Sequence, residues 1–391
     1  MEHDLKIFSE TIEPQALNQV YTLLKQPAFQ GCKVRIMPDV HAGVGCVIGF
    51  TADLGDKIIP NVVGVDIGCG MLTVALGPID LSDALLFELD KLINENIPAG
   101  RNVHSGERYF SGISNLRCFR NLRNVRWLHN SMGTLGGGNH FIEVDADDQG
   151  NKYLIIHTGS RNLGKQVAEI YQDIAVRNVR SMKLEKDKMI AELKAAGREQ
   201  DISEALAVLS SKTAIPKELC YLEGAAADDY LHDMRICQHF AQLNRENIAR
   251  IICNGMGWVP LDHFHTIHNY IDDEGMVRKG AISARAGELV LIPINMRDGC
   301  IIGRGLGNPD WNESAPHGAG RLMSRSKAKT DISMEEYLAA MDGIYTTSID
   351  RSTLDEAPQA YKPMQEILEA ITDTVTVQKI IKPIYSFKAG D

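Results

Sequence analysis

Between residues 33 and 75 the chain alternates short β-branched runs with glycine turns, and no other feature constrains its fold as much. Residues 33–37, 47–50, 57–59 and 71–75 each read as a strand: valine, isoleucine and phenylalanine suit a pleated surface, and glycine at the breaks permits sharp reversals. Residues 81–97 have helical periodicity, and 152–156 (Lys-Tyr-Leu-Ile-Ile) read as a buried strand. A mostly helical stretch follows from about 164 to 253. Within it Cys237, Phe240, Ala241, Asn244, Ile248, Ile251 and Ile252 recur at mostly three- and four-residue steps and form one apolar stripe. Asn244 interrupts that stripe and needs a hydrogen-bond partner if buried. After about 277 strands and turns return. Strands in one part of the chain and helices gathered in another predict an α+β architecture rather than alternating βαβ units. No repeat, low-complexity tract or linker breaks the 391 residues. A single large mixed domain, 1–391, is therefore expected, with a β-rich core and a helical insert at about 164–253.

The formal charge of −10 argues against a protein that coats nucleic acid indiscriminately. The basic residues are nevertheless gathered. Arg101, Arg108, Arg117, Arg120, Arg123 and Arg126 face only Glu107, and Arg321, Arg325, Lys327 and Lys329 meet no acid until Asp331. Two such runs suit a track for a phosphate backbone. No uninterrupted apolar stretch of about 18 residues is present, so no membrane span is expected. The start, Met1-Glu2-His3-Asp4, has neither the basic opening nor the apolar core of a signal peptide. Eight cysteines without paired spacing suit a reducing compartment, and a cytoplasmic location is expected. Seven of them read as small buried hydrophobes.

Four glycine-rich or strand-end segments carry the chemistry. Asp66 and Cys69 sit three residues apart in Gly64-Val-Asp-Ile-Gly-Cys-Gly70, and a thiolate can bridge two cations. Gly136-Gly-Gly138 leads into Asn139, His140, Phe141, Ile142 and Glu143. His157 precedes Gly159, Ser160 and Arg161 at a strand end, and His263, His265 and His268 crowd one short segment. Three imidazoles, one carboxylate and one thiol are enough to hold two adjacent ions that neutralise phosphate oxygens. Spacing does not choose among His263, His265 and His268. His41, in Met37-Pro-Asp39-Val-His41, reads as orienting a ligand or the substrate. His317 stands in Ala315-Pro-His317-Gly-Ala-Gly320-Arg321, where small residues leave backbone N–H groups open to an anion. Arg321 and Arg325 add forked phosphate donors beside it.

Taken together and in order, these motifs resemble the RtcB-type RNA ligases over nearly the whole chain. They include G-V-D-I-G-C-G-M, G-N-H-F-I-E, H-x-G-S-R, R-K-G-A-x-S-A-R-A-G and H-G-A-G-R-x-M-S-R. The resemblance implies an enzyme that joins RNA 3′-phosphate or 2′,3′-cyclic phosphate ends to 5′-hydroxyl ends, in RNA repair or tRNA splicing, with GTP and two Mn²⁺. It marks His317 as the nucleophile that becomes guanylylated, and His268 as the ligand in its segment. It implies that Cys69 bridges the two ions, with Asp66 and His140 on one and His157 and His268 on the other. It sets the nucleotide against Asn139, His140, Phe141, Ile142, Glu143, His268, Asn269, Pro293, Ile294, Asn295, Met296, Cys300, His317, Gly318, Ala319, Gly320 and Lys388. Arg161, Lys279, Arg321 and Arg325 are implied phosphate or RNA contacts. Ligand softness alone points to zinc, so manganese rests on the resemblance.

One turn departs from the family. Where Pro-Gly-Ser-Met-Gly is usual, this chain has Pro293-Ile-Asn-Met-Arg297, and Cys300 stands where serine is common, which predicts a reshaped nucleotide pocket. The rival reading is a dinuclear metal phosphoesterase that uses no nucleotide; it gives His317 no covalent task. The sequence identifies neither the physiological RNA nor an activating protein partner.

Overall fold

The computed structural model describes residues 4–202 and 215–389, with 181–188 as backbone only. A seven-stranded antiparallel sheet forms its centre, in the order β11 (Leu289–Asn295), β12 (Gly299–Gly305), β14 (Val375–Lys388), β5 (Phe141–Ala146), β6 (Lys152–Thr158), β4 (Gly70–Gly77), β7 (Asp262–Ile267). A five-stranded sheet has the order β1 (Asp4–Ile7), β2 (Lys33–His41), β3 (Ile48–Asp53), β9 (Met276–Lys279), β8 (Asn269–Ile271), with β1 parallel to β2. A short pair, β10 (Ala281–Ser283) with β13 (Ser314–Pro316), completes the β structure of the described residues. The α+β expectation holds.

Alternation along the strands of the large sheet divides its work. Leu72, Val74, Ile142, Val144, Leu154 and Ile156 face one side and pack against Leu89 and Ile93 of helix Asp83–Asn96 and Ile248 and Ile252 of helix Ala225–Met256. Met71, Phe141 and Ile155 face the other, with His157 on the same side of β6 as Ile155. Register sets His157 opposite both Phe141 and Met71. His157 therefore sits on the face turned away from the helices.

Most of the predicted helical insert is helical, as Arg161–Ala195 and Ala225–Met256, and residues 203–214 of it lie outside the described residues. The predicted stripe is buried except for the half-buried Ile251. Residues 57–59 are not a strand. Ile58 makes a single bridge to Leu222, and Pro60, which has no N–H for a ladder, opens a one-turn helix instead. Strands also resume earlier than expected, at Asp262, and three short helices (Arg325–Asp331, Met334–Ala340, Met364–Ala370) interrupt the later strands and turns. All eight cysteines are buried and free. Among the described residues no helix is long and apolar enough to cross a membrane.

Asn244 finds the partners its burial demands. Its side-chain oxygen accepts from the Gly133 and Thr134 N–H groups at 2.7 and 3.0 Å, and its amide nitrogen donates to the Thr134 and Gly159 carbonyls, both at 3.1 Å. One helix residue thus ties two glycine loops to the sheet. Asn244→Ala should lower stability by about 2–3 kcal/mol, because truncation orphans buried N–H and C=O groups. Urea denaturation of wild type and variant checks this, and an unchanged midpoint would contradict it.

Candidate metal centre and nucleotide cavity

The turn after helix Pro60–Val63 places Cys69 immediately before β4. Its Sγ lies 3.5 Å from His140 Nε2 and 3.3 Å from His157 Nε2. Asp66 Oδ2 is 3.0 Å from His140 Nε2. His268, whose backbone N–H donates to the Cys69 carbonyl at 3.0 Å, supplies a third imidazole. The donor atoms fall into two sets that share the sulfur: Asp66, Cys69 and His140, and Cys69, His157 and His268. Within each set they lie within 4.8 Å of one another. Gly159 makes room for this, since a Cβ there would come within 2.1 Å of Asp66 Oδ1.

The chemistry of this donor set fits cations. His140 and His157 are positioned to donate through Nδ1 to the carbonyls of Leu135 and Asn139, at 2.9 and 3.1 Å, which turns both Nε2 lone pairs toward Cys69. Burial, with the neighbouring imidazoles adding to it, holds His157 and His268 well below the usual histidine range, so both are neutral at pH 7, the form that can ligate a cation. Burial and the nearby Asp66 push the Cys69 thiol well above its ordinary value. A cation is what such a thiol needs to ionise. The Asp66 Oδ1 atom is buried without a partner.

His317 continues the row of imidazoles. Ring centroids run 5.3 Å from His140 to His157, 5.2 Å on to His268 and 4.8 Å on to His317. His317 Nδ1 is 2.6 Å from Oδ2 of the fully buried Asp39, which also accepts the His317 backbone N–H at 3.1 Å. With Nδ1–H donated to that carboxylate, Nε2 keeps its lone pair. Gly320 has φ 74° and lies against Asp39, where a Cβ would meet the Asp39 carbonyl oxygen at 2.6 Å.

Beside His317 opens a cavity of about 430 Å³. Asn139, Phe141, Glu143, Pro293, Ile294, Asn295, Met296, His317, Gly318, Ala319, Gly320 and Lys388 line it, with His41, His157, Arg321 and Arg325. Other expected nucleotide contacts are placed elsewhere. Ile142 points to the helix side of the sheet, Cys300 is buried behind the cavity, and His140 lines a second cavity with Asp66, Trp127 and Arg161. Asn269 is tied to the Asp66 carbonyl and the Gly280 N–H. In the departing turn, Ile294 packs in a core with Ile282 and Ile292, and the Asn295 oxygen accepts from the Arg297 and Asp298 N–H groups. Both residues still line the cavity.

The implied phosphate contacts also divide. Arg161, at φ 56°, spends its guanidinium on Thr134 Oγ1 at 3.0 Å and the Gly100 carbonyl at 2.7 Å. Lys279 is buried, donates to the Val44 and Asn61 carbonyls at 2.8 and 2.9 Å, and does not line this cavity. His263 is exposed, and His265 lies against Arg245 and Glu246. Arg101, Arg117, Arg120, Arg123 and Arg126 are exposed, and Arg108 is half-buried.

Sequence reasoning assigned no role to Asp39 and missed the carboxylates Asp355 and Glu356. Arg321 and Arg325 both reach Glu356, at 3.3 and 2.7 Å, Arg325 also pairs with Asp355 at 2.6 Å, and Lys388 is ion-paired with Glu356. Burial raises the Glu356 carboxyl, but Lys388 and Arg325 outweigh it and hold it down at about 2. An unfolded glutamate titrates near 4.5, so this ion-pair contribution is complete above that pH and lost as pH falls from 4.5 toward 2. Glu356→Gln should therefore flatten the acid loss of stability across that window, measured by urea denaturation at a series of pH values. An unaltered acid slope would contradict the pairing.

Known proteins match this chain over nearly its whole length. The family model of tRNA-splicing ligase RtcB matches residues 19–117 and 117–389. The chain is 31% identical to the RNA-splicing ligase RtcB of Escherichia coli K12, covering 96% of this chain and 95% of the relative. It is 27% identical to the tRNA-splicing ligase RtcB of Aeropyrum pernix, covering 85% and 83%. With the matched residues running through the metal-type cluster, the His317 turn and Lys388, the chain belongs to the RtcB family of RNA-splicing ligases.

Proposed function

We propose that this chain joins an RNA 3′-phosphate end, or a 2′,3′-cyclic phosphate first opened to it, to a 5′-hydroxyl end through a guanylylated His317. The observation that carries the reading is the 2.6 Å contact between Asp39 and His317 Nδ1, beside the row of imidazoles and the nucleotide-sized cavity. Mn²⁺ held by Asp66, Cys69 and His140 and by Cys69, His157 and His268 would supply Lewis acidity toward phosphate oxygens.

His317 Nε2 attacks the α-phosphorus of GTP, an N–P bond forms and pyrophosphate leaves. Asp39 keeps the Nδ1 proton and stabilises the positive charge that grows on the ring. An oxygen of the RNA 3′-phosphate then attacks the same phosphorus, the N–P bond breaks and an activated RNA-ppG end forms. The 5′-hydroxyl oxygen attacks the RNA 3′-phosphorus, GMP departs and the hydroxyl proton goes to solvent. Phe141 and Glu143 face the cavity where the base would stack and hydrogen-bond. Burial pushes Glu143 up to about 7.

Incubation with α-labelled GTP and Mn²⁺ tests the reading. The protein should acquire a label that is labile to acid and stable to base, as a phosphoramidate is. His317→Ala should abolish it with metal content unchanged, and Asp39→Asn should slow labelling by about tenfold or more. A label that persists in His317→Ala, or wild-type joining of RNA ends without GTP, would overturn it.

A further inference from the structure

Beyond Phe141, β5 carries Glu143 and Asp145 two residues apart, hence on the same side of the strand. β12 brings Cys300 to them across β14. One oxygen from each carboxylate and the Cys300 sulfur lie within 4.8 Å of one another, and all three residues are buried. On this face Met71, Ile155, Leu291, Ile302 and Ile381 form an apolar cluster with Cys300. Asp145 is wholly buried, and neither of its carboxylate oxygens has a hydrogen-bond partner. The Cys300 thiol stands close enough to act on the Asp145 charge without reaching bonding geometry. Glu143 accepts from Ser386 Oγ at 2.9 Å, and Lys388, the cation nearest it, is already paired with Glu356.

We propose that Glu143, Asp145 and Cys300 form a further divalent-cation site, distinct from the Cys69 cluster, that takes an ion of the zinc class. Protons on Asp145 and Cys300 would neutralise these groups, but neither Asp145 oxygen is in hydrogen-bond geometry with a donor, so the buried carboxyl stays poorly satisfied in an apolar surround. A cation among the three satisfies charge and oxygens together. One thiolate and two carboxylates are a borderline donor set that favours zinc over magnesium or calcium, and a fourth position is left for water or the Ser386 hydroxyl. Glu143 also lines the nucleotide cavity, so that cavity is the entry route, and a bound ion fixes the carboxylate that faces it. The inference does not depend on the ligase reading.

Cadmium chloride serves as the probe, because cadmium bound to thiolate absorbs in the ultraviolet. Metal-free Cys69→Ala protein lacks the other candidate thiolate ligand. It should still develop a cadmium–thiolate band that saturates at one ion per chain. Adding Cys300→Ser should remove the band, and adding Asp145→Asn should weaken cadmium binding by about tenfold or more. In the otherwise unaltered chain, Cys300→Ser should remove part of the band, which keeps the test valid if Cys69→Ala fails to fold. No band in folded Cys69→Ala, or a band unaffected by Cys300→Ser in either background, overturns the proposal.

Discussion

One sulfur atom has to lie within reach of two imidazoles, one on β6 and one in the turn just before β5, and the architecture around the site meets that condition. Cys69 Sγ sits 3.5 Å from His140 and 3.3 Å from His157. These distances require β4, β5 and β6 to keep their register, because a one-residue slip would turn His157 to the helix side of the sheet. The buried Arg245 secures the same junction from below. Its Nη1 donates to the Gly68 and Thr158 carbonyls, both at 2.9 Å, joining the residue before Cys69 to the one after His157. Asn244, its neighbour on the helix, holds the loop that leads to His140.

From this junction the chemistry spreads in one direction. The four imidazole rings form a continuous row that ends at His317, and Asp39 fixes the last ring from a separate sheet. Asp39 lies on β2 of the five-stranded sheet, whereas His157 lies on the large one. The row therefore spans the meeting of the two sheets, and the cavity opens there. Its basic side chains are not free charges: Asp355 and Glu356 answer Arg321, Arg325 and Lys388. This pairing spares the cations the cost of standing uncompensated beside the cavity.

Much of this was legible because local rules act over short spans. β-branched runs, the apolar stripe around Phe240 and the demand of Asn244 for partners all follow from neighbours in sequence. Glycine turns marked where Asp66, Cys69, His140 and His317 stand. The failures were long-range or overlooked. Residues 57–59 have strand-like side chains, yet among the described residues their one bridge to another segment runs from Ile58 to Leu222. Asp355 and Glu356 look like solvent-facing acids until packing sets them against Arg321, Arg325 and Lys388. Lys279 sits in a motif shared with the family, but its amine is taken up by two backbone carbonyls. A capping box, Ser333 with Glu336, did announce the helix Met334–Ala340, which a closer reading of S-x-x-E would have found.

A thiolate at Cys69 would join the two candidate cation sites into one. Electron paramagnetic resonance of the metal-free protein titrated with Mn²⁺ tests it most directly. Two ions sharing a thiolate couple magnetically, so a coupled dinuclear spectrum is expected in the wild type and should be lost in Cys69→Ser. A spectrum of isolated Mn²⁺ in the wild type, or coupling that survives Cys69→Ser, would contradict it.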